Sequence, residues 1–183
     1  QGGGAEQAVF DQASGASAAR SDRLLDRILA GTRLPPGGRL LAVGCGNGSF
    51  LRAFHGRAPG WRLNGTELHG RYRKEIEAIE GVEAFHQSLP QEVAGEFDWI
   101  VFVHVLEHVP TPVDALDRLR AKFRPNGLLV VELPDHRQWP FDLAVADHSC
   151  HYSPDTLRMV IERAGYAVEA TVRDWIPREL SAL

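Results

Sequence analysis

A chain of 183 residues with 44% apolar composition can bury one sizeable core and is short for two, so a single domain over 1–183 is expected. Its 24 acidic and 20 basic residues give a formal charge of −4 without a dense Lys/Arg stripe, which argues against nucleic acid as a partner. Two cysteines, Cys45 and Cys150, exclude a disulfide framework and a Cys-based zinc site, and no apolar run reaches the roughly 18 to 20 residues of a membrane span.

The opening "QGGGAEQ" has no basic-then-apolar signal pattern and reads as a loop, so a reducing cytoplasmic location is expected. With Met159 the only methionine, the chain is read as part of a longer protein. "ARSDRLLDRILAGTRLPPGG" then sets Leu24, Leu25, Ile28 and Leu29 on one helical face, with Ser21 as cap and Gly31 as stop. "RLLAV", bounded by glycines, suits a strand buried on both faces. A helix follows over Ser49–His55, a strand in "WRLNGTE", a helix in "RYRKEIEAIE" and strands in "VEAFHQ" and "FDWIVFV". The later half reads as a helix over Val113–Phe123, a "RPNG" turn, a strand "LLVVEL", a long loop over Pro134–Ser153, a helix over Pro154–Ala164 and a strand "YAVEATV". This alternation predicts an α/β doubly wound, mostly parallel sheet, whose ligands bind beyond the carboxyl ends of the strands.

The chemistry gathers at those ends. In "VGCGNGSF" Gly44, Gly46 and Gly48 open a helix directly after a strand, where glycine permits a tight turn and close approach to a ligand. Glu67 ends the next strand 23 positions beyond Gly44, near the offset of about 20 at which a carboxylate can accept both hydroxyls of a ribose. Together they read as a nucleoside-cofactor site. A dinucleotide fingerprint needs a third glycine where the chain has Ser49, so NAD is the runner-up.

"LLAVGCGNGSFL", "GTEL", "FDWIVFVHVLEHVPTP", "FRPNGLLVVELPD" and "HYSPDTLRMVIERAGYAV", in this order over about Leu40–Val172, resemble the class I S-adenosylmethionine-dependent methyltransferases. The resemblance implies a Rossmann-like fold, S-adenosyl-L-methionine as cofactor, and methyl transfer to an oxygen, nitrogen or carbon of a small molecule. It also implies a core over 36–172 behind an N-terminal lead and helix (1–35), and a seventh strand. "RDWIPRELSAL" holds no evident strand, so 173–183 is expected to be an incomplete edge. Carried over by position, Gly44, Cys45, Gly46, Asn47 and Gly48 would wrap the methionine end of the cofactor, Glu67 the ribose diol, and Leu68, Ser88 and Leu89 the adenine. His104 would face the sulfonium.

"HVLEHVP" (104–110) contains H-x-x-E-H, a zinc-protease pattern that needs a regular helix. Here "WIVFV" precedes it as a buried strand and Pro110 and Pro112 cut any helix to about one turn, so the protease reading fails on geometry. Ubiquinone-type O-methyltransferases and small-RNA 2′-O-methyltransferases, which the chain resembles here, carry E-x-x-E-H at this place. That leaves a metal-dependent alternative through His104, Glu107, His108 and His148, against the reading that Glu107 and His108 only cap a turn. No metal ligand is assigned. In the long loop, Asp147, His148 and Tyr152 resemble the base and orienter of sugar C-methyltransferases, so His148 and His104 are the candidate proton acceptors. The competing class is a non-catalytic methyltransferase-like binding domain of a larger protein.

Overall fold

The computed structural model describes residues 8–10 and 17–183; the glycine run read above as a loop lies outside the described residues. A short antiparallel pair, β1 (Ala8–Phe10) and β2 (Ser17–Ala19), leads into α1 (Arg20–Gly31). Strands β3 (Arg39–Val43), β4 (Arg62–Thr66), β5 (Val82–His86), β6 (Phe97–Val103) and β7 (Phe123–Pro134) pair in parallel, and β8 (Thr171–Val172) and β9 (Glu179–Ala182) pair antiparallel. The sheet order is β5-β4-β3-β6-β7-β9-β8. Helices α2 (Ser49–Arg57), α3 (Arg73–Glu77), α4 (Pro112–Leu119) and α5 (Pro154–Arg163) complete the described fold.

Strand alternation builds two cores. Leu40 and Ala42 of β3 face one with Leu24, Leu25, Ile28 and Phe54, while Leu41 and Val43 face the other with Leu116, Leu157 and Ile161. On the first face Phe54, Trp61 and Trp99 meet edge-on at centroid distances of 5.2 to 5.8 Å. On the second, α5 starts from a reciprocal cap. The Thr156 amide donates to Ser153 Oγ (3.4 Å), the Ser153 amide donates to Thr156 Oγ1 (2.8 Å), and Pro154 follows at the first helical position.

Four expectations change. The seventh strand exists: β9 lies inside the sheet between β7 and β8, so the segment expected as an incomplete edge supplies an interior strand. It was missed because only four residues form it and three of them are buried against partners far away in sequence. The "RPNG" turn does not end an element but lies within β7, where Asn126 takes φ 61° and the pairing with β6 shifts register. Ser21 is buried inside α1, with Ala19 at the cap position, and the "YAVEATV" strand shortens to Thr171–Val172. No helix among the described residues is long and apolar enough to cross a membrane.

Candidate active site

Consecutive crossovers leave β3 in opposite directions, since β4 flanks it on one side and β6 on the other. Beyond their carboxyl ends the chain separates, and a crevice opens there. Gly44, Gly46 and Gly48, at φ 59°, 53° and 80°, form the turn after β3. A Cβ on Gly44 would stand 2.5 Å from Val105, and one on Gly48 2.6 Å from Ile79, whereas Gly46 faces open space. Asn47 Oδ1 accepts the amide (3.1 Å) and hydroxyl (2.7 Å) of Ser49, steering the chain into α2. Glu67 follows β4; its carboxylate accepts the Gly46 amide (3.0 Å) and its neighbour Leu68's amide (3.2 Å), tying the glycine turn to the adjacent strand. Burial, with Glu67 adding to it, pushes the Cys45 thiol up to about 12, so it stays protonated near neutral pH.

Three cavities adjoin at these strand ends. A cleft of about 910 Å³ takes in Gly44, Glu67, Leu68, Ser88, Leu89 and His104. A recess of about 190 Å³ is lined by Gly44, Cys45, Gly46 and Asn47. A pocket of about 550 Å³ is lined by His104, Trp139, Val145, His148, Ile176 and Glu179, among others. Gly48 lines none of the three; its place is in the turn.

His104 directly follows β6 in the left-handed region (φ 53°), its amide donating to the Glu132 carbonyl (2.8 Å). A non-glycine residue held there is strained and is retained where surroundings over-determine it. Its ring stands between two carboxylates, with Nδ1 3.1 Å from Glu107 and Nε2 3.3 Å from Glu179. Behind them the Arg20 guanidinium reaches both Glu132 and Glu179 at 2.9 Å. Burial pushes the Glu179 carboxyl up to about 7, against the pull of His104 and Arg20 and with the help of Glu132 and Glu107.

The loop 134–153 contains a 3₁₀ turn, Pro140–Ala144, that buries Asp142. Its two carboxylate oxygens take Nδ1 of His148 (2.6 Å) and Nδ1 of His151 (2.7 Å). The expected Asp147–His148 pairing is therefore wrong: Asp147 is largely exposed, and its carbonyl partners Nδ1 of His108 (2.9 Å). Tyr152 is not an orienter either, being buried with its hydroxyl 3.5 Å from the Leu106 carbonyl. H-x-x-E-H begins just past the end of β6 and closes on a single 3₁₀ turn, Leu106–His108, rather than lying in a helix. Of the four residues weighed for a metal, Glu107, His108 and His148 bring ligand atoms within 4.8 Å of one another, while His104 pairs with Glu107 instead.

Sequence reading missed Arg20, Glu132, Asp142 and Glu179. Glu132 carried a signal, a lone charge in the apolar run "LLVVEL", and Asp142 stands six residues before His148 in a loop already suspected. Arg20 and Glu179 carried none.

A family model described as a methyltransferase domain matches residues 16–171. A tRNA U34 carboxymethyltransferase of Pseudoalteromonas translucida (strain TAC 125) is 32% identical over 126 residues, covering 62% of this chain and 37% of that protein. A ubiquinone biosynthesis O-methyltransferase of Acinetobacter baylyi (strain ATCC 33305 / BD413 / ADP1) is 28% identical over 102 residues, covering 50% and 41%. The chain thus spans about two fifths of the length of these relatives. Among solved structures, the complex of the Haloferax volcanii Trm112 methyltransferase activator with a methyltransferase matches at TM-score 0.72 and 14% identity, over 89% of this chain and 88% of that one. CalO1, a methyltransferase in calicheamicin biosynthesis in its SAH-bound form, matches at TM-score 0.67 and 17% identity, over 89% and 52%. The chain belongs to the class I S-adenosylmethionine-dependent methyltransferases.

Glu179 gives this site a pH signature. The unfolded chain releases that proton at the ordinary value of 4.5 and the folded protein only near 7. Its contribution to stability is therefore full below the first value and is lost as pH rises to the second. Relative to Glu179→Gln, the parent protein should lose on the order of 2 to 3 kcal/mol across that window, read from urea unfolding at a series of pH values. Parallel pH curves for the two proteins would contradict the assignment.

Proposed function

We propose that the protein transfers the methyl group of S-adenosylmethionine to an oxygen, nitrogen or carbon nucleophile of a small molecule. The observation that carries this reading is His104, which stands in the wall of both the cleft that holds Glu67 and the pocket that holds His148. A donor in the first and an acceptor in the second would meet at one residue. The cleft suits the donor. Glu67 stands where a ribose diol can be held, and Leu68 and Leu89 present exposed apolar side chains to an adenine. The glycine turn leaves open space above Gly46 for the methionine end.

Bound S-adenosylmethionine supplies a methyl group already activated by the sulfonium. The chain contributes orientation, exclusion of water and a proton acceptor. His148, nearly buried in the pocket wall, takes the proton that the acceptor gives up as its bond to carbon forms. His104 is the second candidate acceptor, through Nδ1 alone, since its Nε2 is buried against Glu179; the Glu107 carboxylate 3.1 Å from Nδ1 would stabilise the imidazolium. Trp139, Val145 and Ile176 give the pocket apolar walls suited to a small organic molecule. The formal charge of −4 argues for such an acceptor over RNA. Two free thiols suit a reducing cytoplasm.

A metal-dependent variant is favoured by one observation. Glu107 is buried, its carboxylate has only the His104 ring (3.1 Å) for a polar partner among the described residues, and it lies beside His108 and His148, whose Nδ1 atoms have oxygen partners. Two imidazoles and a carboxylate fit a transition ion, which would acidify a bound hydroxyl. Manganese or zinc should then raise the melting temperature by a few degrees over a chelator-treated sample, about the effect of 1 kcal/mol. His108→Ala should abolish the rise. Equal melting with and without ions removes this variant.

The main reading is tested by titration calorimetry with S-adenosylhomocysteine. Binding is expected, and Glu67→Ala should weaken it about 10- to 100-fold, the worth of hydrogen bonds to a charged group. No heat with either the donor or its product would sink the enzyme. His148→Ala should lower kcat about 10²- to 10⁴-fold at unchanged cofactor affinity, and unaltered turnover would take the proton-acceptor role away from it.

A further inference from the structure

We propose that Asp142 is a positioning residue that holds two imidazoles, His148 and His151, in one tautomer, so that His148 offers an unprotonated Nε2 to the acceptor pocket. The proposal rests on the methyl-transfer reading for what His148 does, but its geometry stands apart from that reading. Asp142 is 1% exposed, and each of its oxygens faces one ring nitrogen, at 2.6 and 2.7 Å. An ionised carboxylate only accepts hydrogen bonds, so both Nδ1 atoms must carry the proton. Nε2 of each neutral ring is then left with its lone pair.

The surroundings point the same way. No other titratable side chain is bonded to Asp142 among the described residues, so the two imidazoles are what compensates a carboxylate withdrawn from water. Asp142 is held by its own backbone: its amide donates to the Trp139 carbonyl (3.0 Å), and the Val145 amide donates to its carbonyl (3.1 Å). His108 packs edge-on against the His148 ring at 4.8 Å, which restricts rotation of that ring about its bond to Asp142. In the transfer step the acceptor's X–H bond breaks, its electron pair forms the X–CH₃ bond, the S–CH₃ pair remains on sulfur, and the proton goes to His148 Nε2. The imidazolium so formed donates from Nδ1 to a carboxylate already in place.

Asp142→Asn separates this role from simple packing. An amide keeps the shape, but only its oxygen accepts; its nitrogen must donate, so one of the two imidazoles is forced to carry its proton on Nε2. Long-range ¹H–¹⁵N correlation spectra of the ¹⁵N-labelled protein above neutral pH should show both rings as the Nδ1–H tautomer in the parent. At least one ring should switch in Asp142→Asn, and both should be retained in Asp142→Glu. With an acceptor found by screening hydroxyl- and amine-bearing small molecules, Asp142→Asn should lower kcat 10²-fold or more with KM within about threefold. Asp142→Glu should recover part of the loss. An Nε2–H tautomer for His148 in the parent, or unchanged tautomers in Asp142→Asn, overturns the proposal. S-adenosylhomocysteine titration of the same samples reports on the methyl-transfer reading: its absence sinks that reading while the spectra still decide the role of Asp142.

Discussion

Glu132, fully buried at the carboxyl end of β7, needs a positive partner, and Arg20 at the first position of α1 supplies it. Such a pair adds little net stability over a well-packed apolar contact, but losing one partner strands a charge away from water, a cost of several kcal/mol. The pairing therefore fixes geometry more than it adds energy. Because the same guanidinium also reaches Glu179 of β9, one side chain joins the lead helix, the middle of the sheet and the strand latest in sequence. His104 then sits against Glu179 with its backbone amide on Glu132, so the wall between the two cavities depends on this pairing.

How much of this was legible follows from the range of the forces involved. Periodicity and glycine placement are local, and "RLLAV" followed by Gly44, Gly46 and Gly48 suffices to locate a buried strand and the turn beyond it. Glu67 was legible for the same reason, since a fixed crossover length carries a carboxylate back to the turn, where it accepts the Gly46 amide. Glu179 was not, because its meaning comes from Arg20, 159 residues away in sequence, and from a sheet position that no local pattern announces. Asp147 looked like the partner of His148 because it is adjacent. The loop folds back on itself, however, and gives that place to Asp142.

The loop owes its shape to another buried carboxylate. Asp135, just past β7, accepts the Arg137 amide (2.9 Å) and the Arg173 guanidinium (2.7 Å), and its own amide donates to the Arg178 carbonyl (3.0 Å). Farther on, the Cys150 amide donates to the Glu107 carbonyl (3.0 Å). A connection of this length would ordinarily be mobile, yet it is pinned at both ends and at Asp142 in its middle. Imidazoles that must hold a fixed orientation are thereby carried by a segment with few degrees of freedom.

The interior placement of β9 bears on how the molecule assembles. Among the described strands β8 pairs only with β9, and β9 joins β7 through pairs such as Val131 with Ala182, so residues 171–172 have no place in the sheet until residues 179–182 have taken theirs. Closing so long a loop costs entropy before any pairing rewards it. During synthesis the parallel strands emerge first and wait with one flank of β7 unpaired, an open edge that invites association with other chains until the last strand inserts.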